Sequence, residues 1–140
     1  MLVAGAALCV PMVAVILRRG YGLGAQAMAG GSLHEPVLTV AWPGAHLGPM
    51  GLEGAVRLGM RKELDAIEDE QEREERVRLA TAAAQENAKA LNAAMLFEID
   101  DVIDPAETRA VIAATFAAAD TDTRKPAPGG SRFGRFVDTW

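Results

Sequence analysis

One short stretch of this chain concentrates the features that could do chemistry. Residues Arg18 to Gly24 carry Gly20, Gly22 and Gly24 between an apolar run and a helix-forming segment. Glycines let backbone N–H groups approach a ligand without side-chain obstruction. Such donors would point out of the N-terminus of the following helix, where unsatisfied N–H groups and the helix dipole both favour negative charge. Two of them can stabilise an oxyanion. By spacing alone the same glycines also describe a purely structural turn. They do not complete the G-x-G-x-x-G pattern of a dinucleotide site.

The other reactive residue types form no constellation. His34 and His46 lie in separate loops, and neither has Cys, His or carboxylate neighbours at metal-ligand spacing. Ser32 follows two glycines but lacks the G-x-S-x-G frame of a nucleophile elbow. Glu98, Asp100, Asp101 and Asp104 are dense in charge, yet a calcium loop needs a glycine at its turn and a terminal glutamate. Helix capping by Asp104 and solvent exposure account for that cluster. Cys9, the single cysteine, sits between Leu8 and Val10 and reads as a buried, inert thiol.

The glycine loop needs a strand before it and a helix after it. Val13 to Leu17 reads as a buried parallel strand covered on both faces, preceded at Pro11 by the end of a closely packed helix rich in small residues from Ala4 to Ala7. Ala25 to Ala29 is helix-forming, and Gly30 and Gly31 end it. Val37 to Ala41 is a second strand, followed by a loop over Gly44 to Pro49. From Met50, apolar residues recur at helical spacing to Met60, with Gly51, Gly54 and Gly59 suited to close approach of another backbone. Glu63 to Arg78 reads as an exposed helix in which Glu72 pairs with Arg76 and Glu74 with Arg78. An alanine-rich stripe continues it to Leu91. Asp104-Pro105-Ala106-Glu107 starts a last helix that buries Ile112, Thr115, Phe116 and Ala119. Residues 121–140 read as a flexible tail rich in Pro, Gly and Arg, leaving 1–120 as one incomplete α/β domain with a long helical C-terminal half.

Composition removes whole classes of function. A net charge of −5 provides no basic field for a nucleic-acid backbone. Met1 to Leu17 is uncharged, but its arginines follow rather than precede it, and Pro11 interrupts it; it fits neither a secretory signal nor a spanning helix. One cysteine fits a reducing, cytoplasmic setting. No metal is expected.

The run Arg18-Arg19-Gly20-Tyr21-Gly22-Leu23-Gly24-Ala25-Gln26-Ala27-Met28-Ala29-Gly30-Gly31 resembles the signature loop of the biotin-dependent acyl-CoA carboxylase β subunits. Ala41-Trp42-Pro43, Met50-Gly51-Leu52-Glu53-Gly54-Ala55-Val56 and Ile99-Asp100-Asp101-Val102-Ile103-Asp104-Pro105-Ala106-Glu107-Thr108-Arg109 resemble the same family in the same order. The resemblance implies a crotonase-like (ClpP/crotonase) fold, of which this chain is the later part of the second domain. The acyl-CoA-binding first domain and the strands that should pair with Val13 to Leu17 are then missing, and the chain alone should not catalyse.

In that family a carboxyl group passes from carboxybiotin to the α-carbon of an acyl-CoA, and two backbone oxyanion holes carry the chemistry. Aligning on Tyr21 places the biotin-side donors on the N–H groups of Leu23 and Gly24; a one-residue slip chooses Gly24 and Ala25. Tyr21 and Gly22 belong to the same substrate-binding turn, and Gln26 stands near a position that lines the acyl pocket. The cofactor implied is biotin, delivered by a biotin carboxylase and carrier α subunit, and the full-length family forms homo-hexamers. Two other readings remain: a non-catalytic remnant or interaction protein with an exposed apolar edge at Met1 to Leu17, and a crotonase-like CoA-thioester enzyme without biotin. The blocks at Trp42 and Ile99 favour the biotin branch.

Overall fold

A computed structural model describes residues 2–6, 8 and 10–119. Met1, Cys9 and the expected tail lie outside the described residues. The elements run α1 (Leu2–Ala6), β1 (Val13–Ile16), β2 (Arg19–Tyr21), α2 (Gly22–Met28), β3 (Leu38–Ala41), β4 (His46–Gly48), α3 (Leu52–Gly59), α4 (Arg61–Asp65), α5 (Glu70–Asn87), α6 (Ala90–Met95), β5 (Asp101–Val102), a 3-10 turn (Pro105–Glu107) and α7 (Thr108–Ala118). This is the α/β arrangement of short parallel strands and a helical C-terminal half that the sequence implies.

β1, β3 and β5 form a parallel sheet in that order, with Val13 opposite Leu38 and Val40 opposite Asp101. The central strand β3 buries Thr39, Val40 and Ala41, as expected where both faces are covered. β1 does not match its expected burial. It ends at Ile16, all four of its residues are half-buried, and it stands at the sheet edge. Its apolar composition exceeds what this chain covers.

The turn expected from Arg18 to Gly24 is mostly regular structure. Arg19–Tyr21 is a strand paired in parallel with β4, which occupies the expected loop over Gly44 to Pro49. Two three-residue strands with no alternating pattern are specified only by their pairing. The close packing expected of α1 is present: a Cβ on Gly5 would lie 2.7 Å from the Gly30 Cα. At Gly51 and Gly59 it is absent, since a Cβ there meets nothing within 4 Å.

α5 starts at Glu70 behind Asp69, whose carboxylate accepts from the Gln71 N–H. The expected ion pairs give way to others. Arg73 pairs with Glu70 and Arg78 with Glu75, each three residues apart, while both oxygens of Glu74 accept from Arg57 of α3. The alanine stripe breaks after Asn87 because the backbone is drawn onto β4: the Leu47 N–H donates to the Ala88 carbonyl and the Ala90 N–H to the Ala45 carbonyl. That contact builds a core of Ala41, Ala45, Leu47, Ala90, Ala93 and Ile99, mostly small side chains that let strand, loop and α6 approach closely.

The acidic cluster is occupied with backbone. Asp100 Oδ2 accepts from the Thr39 N–H, Asp101 Oδ1 from the Val102 N–H and Asp104 Oδ1 from the Ala106 N–H. Asp104 therefore caps as expected, although a 3-10 turn precedes the α-helix. α7 buries none of its residues, contrary to expectation, and Phe116 is 47% exposed. Ile112, Thr115 and Ala119 are half-buried.

Candidate active site

β2 delivers the chain to α2 through one unusual residue. Tyr21 is extended, at φ −115° and ψ 131°, and Gly22 then takes φ +56°. A Cβ on Gly22 would lie 2.7 Å from the Pro49 carbonyl oxygen. Only glycine meets both demands, so strand leads directly into helix beside the end of β4.

The N-cap Tyr21 provides no side-chain hydrogen bond to the helix start. With Gly22 as the first helical residue, the first i→i−4 bond runs from the Ala25 N–H to the Tyr21 carbonyl. The N–H groups of Leu23 and Gly24 precede that bond and have no partner within the helix. Leu23 is 51% exposed, and a Cβ on Gly24 would meet nothing within 4 Å. Two adjacent backbone donors thus lie at the exposed, positive end of the α2 dipole.

Clefts lie on both sides of α2. One, of about 920 Å³, is bounded by the edge of β1, by Arg18 and Arg19, and by Gly24 and Ala25. Its lining holds two cations and no carboxylate, which suits developing negative charge. The other, of about 700 Å³, lies between α2 and α6 and is lined by Leu23, Gln26, Leu33, Leu47, Asn92 and Leu96 among others. Gln26 Oε1 is buried there without a hydrogen-bond partner among the described residues.

All six residues singled out in the sequence, Tyr21 to Gln26, fall on this one strand-to-helix junction. The histidines do not join as a pair: His34 is exposed on the rim of the second cleft, with its N–H on Ser32 Oγ, whereas His46 sits in β4. Among the described residues no three His, Cys, Asp or Glu side chains come together to hold a metal ion. No described helix is long and apolar enough to cross a membrane. Sequence reasoning missed Asn92 and Leu96, which reach the cleft from a helix about seventy positions later. Their spacing gives no signal; only the nearby block from Ile99 connects that region to the first loop.

Two of the four sequence blocks meet directly. The Trp42 indole N–H donates to Thr108 Oγ1 at 3.0 Å, joining the end of β3 to the start of α7.

Short parallel strands with flanking helices are the architecture of the crotonase-fold carboxyltransferases. The carboxyl transferase domain family matches residues 1–132, and the chain belongs to that family. It is 38% identical over 109 residues to the methylmalonyl-CoA carboxyltransferase 12S subunit of Propionibacterium freudenreichii subsp. shermanii, covering 74% of this chain and 19% of that protein. Among solved structures, a single-chain, multi-domain long-chain acyl-CoA carboxylase shares 53% identity at TM-score 0.71, over 81% of this chain and 11% of that one. The hexameric transcarboxylase 12S with methylmalonyl-CoA bound shares 31% at TM-score 0.73, over 95% and 25%. The chain therefore spans about a fifth of the length of the curated relatives it matches.

Proposed function

We propose that this chain is the later portion of the second domain of a biotin-dependent carboxyltransferase, and that it carries the biotin-side oxyanion hole for carboxyl transfer to an acyl-CoA. One observation carries the reading: the N–H groups of Leu23 and Gly24 precede the first hydrogen bond within α2, and Gly24 shares a cleft with Arg18 and Arg19. Residues 1–120 supply this part of the domain. The remainder of the enzyme would supply the CoA-binding half, so the chain alone is expected to be inactive.

Biotin fits this site by the chemistry of the donors. When bound, carboxybiotin supplies the carboxyl group. The Leu23 and Gly24 N–H groups would hold its ureido oxygen and favour negative charge there. Ala25, the alternative donor, is already committed to the Tyr21 carbonyl by helix geometry, which favours the Leu23 and Gly24 register. Tyr21 and Gly22 set the turn, and Gln26 faces the acyl side. The partners are a biotin carboxylase and carrier α subunit and further copies in a homo-hexamer, in the cytoplasm.

The test is calorimetric titration of free biotin against the folded chain. Gly24→Val should weaken binding at least fivefold without unfolding the protein, because its side chain enters ligand space rather than the core. Equal affinity in the variant would remove the site assignment. The open β1 edge favours a second reading, an interaction protein seeking a partner strand, and biotin-independent binding of such a partner would distinguish it.

A further inference from the structure

Residues 52–87 pack as an arm of their own. Leu64 of α4 and Val77 of α5 are buried, but neither belongs to the core of Ala41, Ala45, Leu47, Ala90, Ala93 and Ile99 that joins strand, loop and α6. α3 buries no residue; Leu52, Ala55 and Val56 are half-buried. Two arginines clamp what this thin packing leaves loose. Arg57 of α3 donates through Nη1 and Nη2 to the two carboxylate oxygens of Glu74 in α5, at 3.0 and 2.8 Å. Arg73 of α5 donates through Nε and Nη2 to the Leu64 and Ile67 carbonyls around the end of α4, at 3.1 and 2.6 Å. A unit with so few buried apolar side chains opens at lower free energy than the sheet core.

Both ends of this arm stand at the donor turn. The chain enters it through Pro49, whose carbonyl oxygen lies where a Cβ on Gly22 would come within 2.7 Å. It leaves through Ala88, whose carbonyl accepts from the Leu47 N–H of β4, the strand paired with β2. Gly22, Leu23, Pro49, Asn87 and Ala88 line one cleft. Movement of the arm on these two connections therefore changes the contact that sets where α2 begins.

We infer that α3–α5 opens as a unit and that Arg57 is a positioning residue. By clamping α3 onto α5 it holds Pro49 against Gly22, and so holds the Leu23 and Gly24 N–H groups in place. The inference rests on the carboxyl-transfer reading above only for what those two groups bind.

Amide hydrogen exchange and amide resonances of the full chain, without ligand, test it. In the wild type the α3–α5 amides should exchange together, roughly tenfold faster or more than those of β3. Arg57→Ala should speed exchange across α3–α5 about threefold to fivefold, leave β3 unchanged and shift the Gly22, Leu23 and Gly24 resonances. Arg78→Ala, which breaks an ion pair within α5, should leave those three unmoved. Arg57→Glu or Glu74→Arg alone should act like Arg57→Ala, and the two together should restore both readouts, which loss of local structure at either position would not allow. Unmoved Gly22 to Gly24 resonances in Arg57→Ala, failure of the double variant to restore them, or α3–α5 exchange as slow as that of β3 overturns the inference. Biotin titrated on the same samples separates the two claims. Biotin binding that is equal in wild type and Arg57→Ala, with unmoved donor resonances, sinks only this inference; shifted and restored resonances in a chain that does not bind biotin sink the carboxyl-transfer reading.

Discussion

Gly22 and Pro49 are so close that a single added carbon on Gly22 would stand 2.7 Å from the Pro49 carbonyl oxygen. This contact fixes where β2 stops and α2 starts, and hence where the Leu23 and Gly24 donors sit. The backbone at Gly22, at φ +56°, independently disfavours any side chain.

Gly22→Ala should therefore destabilise the fold by about 2 kcal/mol or more, from left-handed strain and overpacking together. Gly24→Ala should be neutral or slightly stabilising, because it has room and alanine is the better helix former. Urea unfolding of the two variants checks the contrast. Equal effects would mean that the turn is not built on Gly22.

Gln26 leaves a carboxamide oxygen buried and unpaired in the second cleft. Gln26→Leu removes that desolvated acceptor, so the ligand-free protein should gain about 1 kcal/mol. A thermal melt rising by several degrees is the expected outcome, and a lower melting temperature would show that the carboxamide is needed by the fold.

The candidate site was more legible in the sequence than the elements around it. Tyr21 to Gln26 could be located because glycine spacing and the ordered family blocks are local features. The strands β2 and β4 could not, since Arg19–Tyr21 and His46–Gly48 become strands only by pairing with each other. The same holds for the helix break at Ala88, which is caused by bonds to Ala45 and Leu47 rather than by any glycine or proline. α7 failed in the opposite sense. Its apolar pattern predicts full burial, but Ile112, Thr115 and Ala119 are only half-buried and Phe116 is exposed. Trp42 and Thr108, in separate blocks, could be recognised individually but not as bonded partners.

Arg57 joins α3 to α5 through both oxygens of Glu74 and donates within α3 to Glu53 Oε1. The hydrogen bonds from Arg57 hold the Glu74 carboxyl below its ordinary 4.5, and Arg78 does the same for Glu75. A depressed folded-state value means that the stabilisation is present above the unfolded-state value and is lost as pH falls through the lower, folded one. Stability should thus decline below about pH 4.5, with a smaller decline in Arg57→Ala and in high salt. A pH series of urea midpoints measures it; identical acid limbs in wild type and Arg57→Ala would remove Glu74 from the account.

The central claim is that the Leu23 and Gly24 N–H groups receive the ureido oxygen of biotin. Backbone amide resonances followed during a biotin titration read those two donors directly. The Leu23 and Gly24 amides should shift most, downfield and saturably, while Ala25, bonded within the helix, should move less. Saturable shifts centred elsewhere, with Leu23 and Gly24 unmoved, would contradict it.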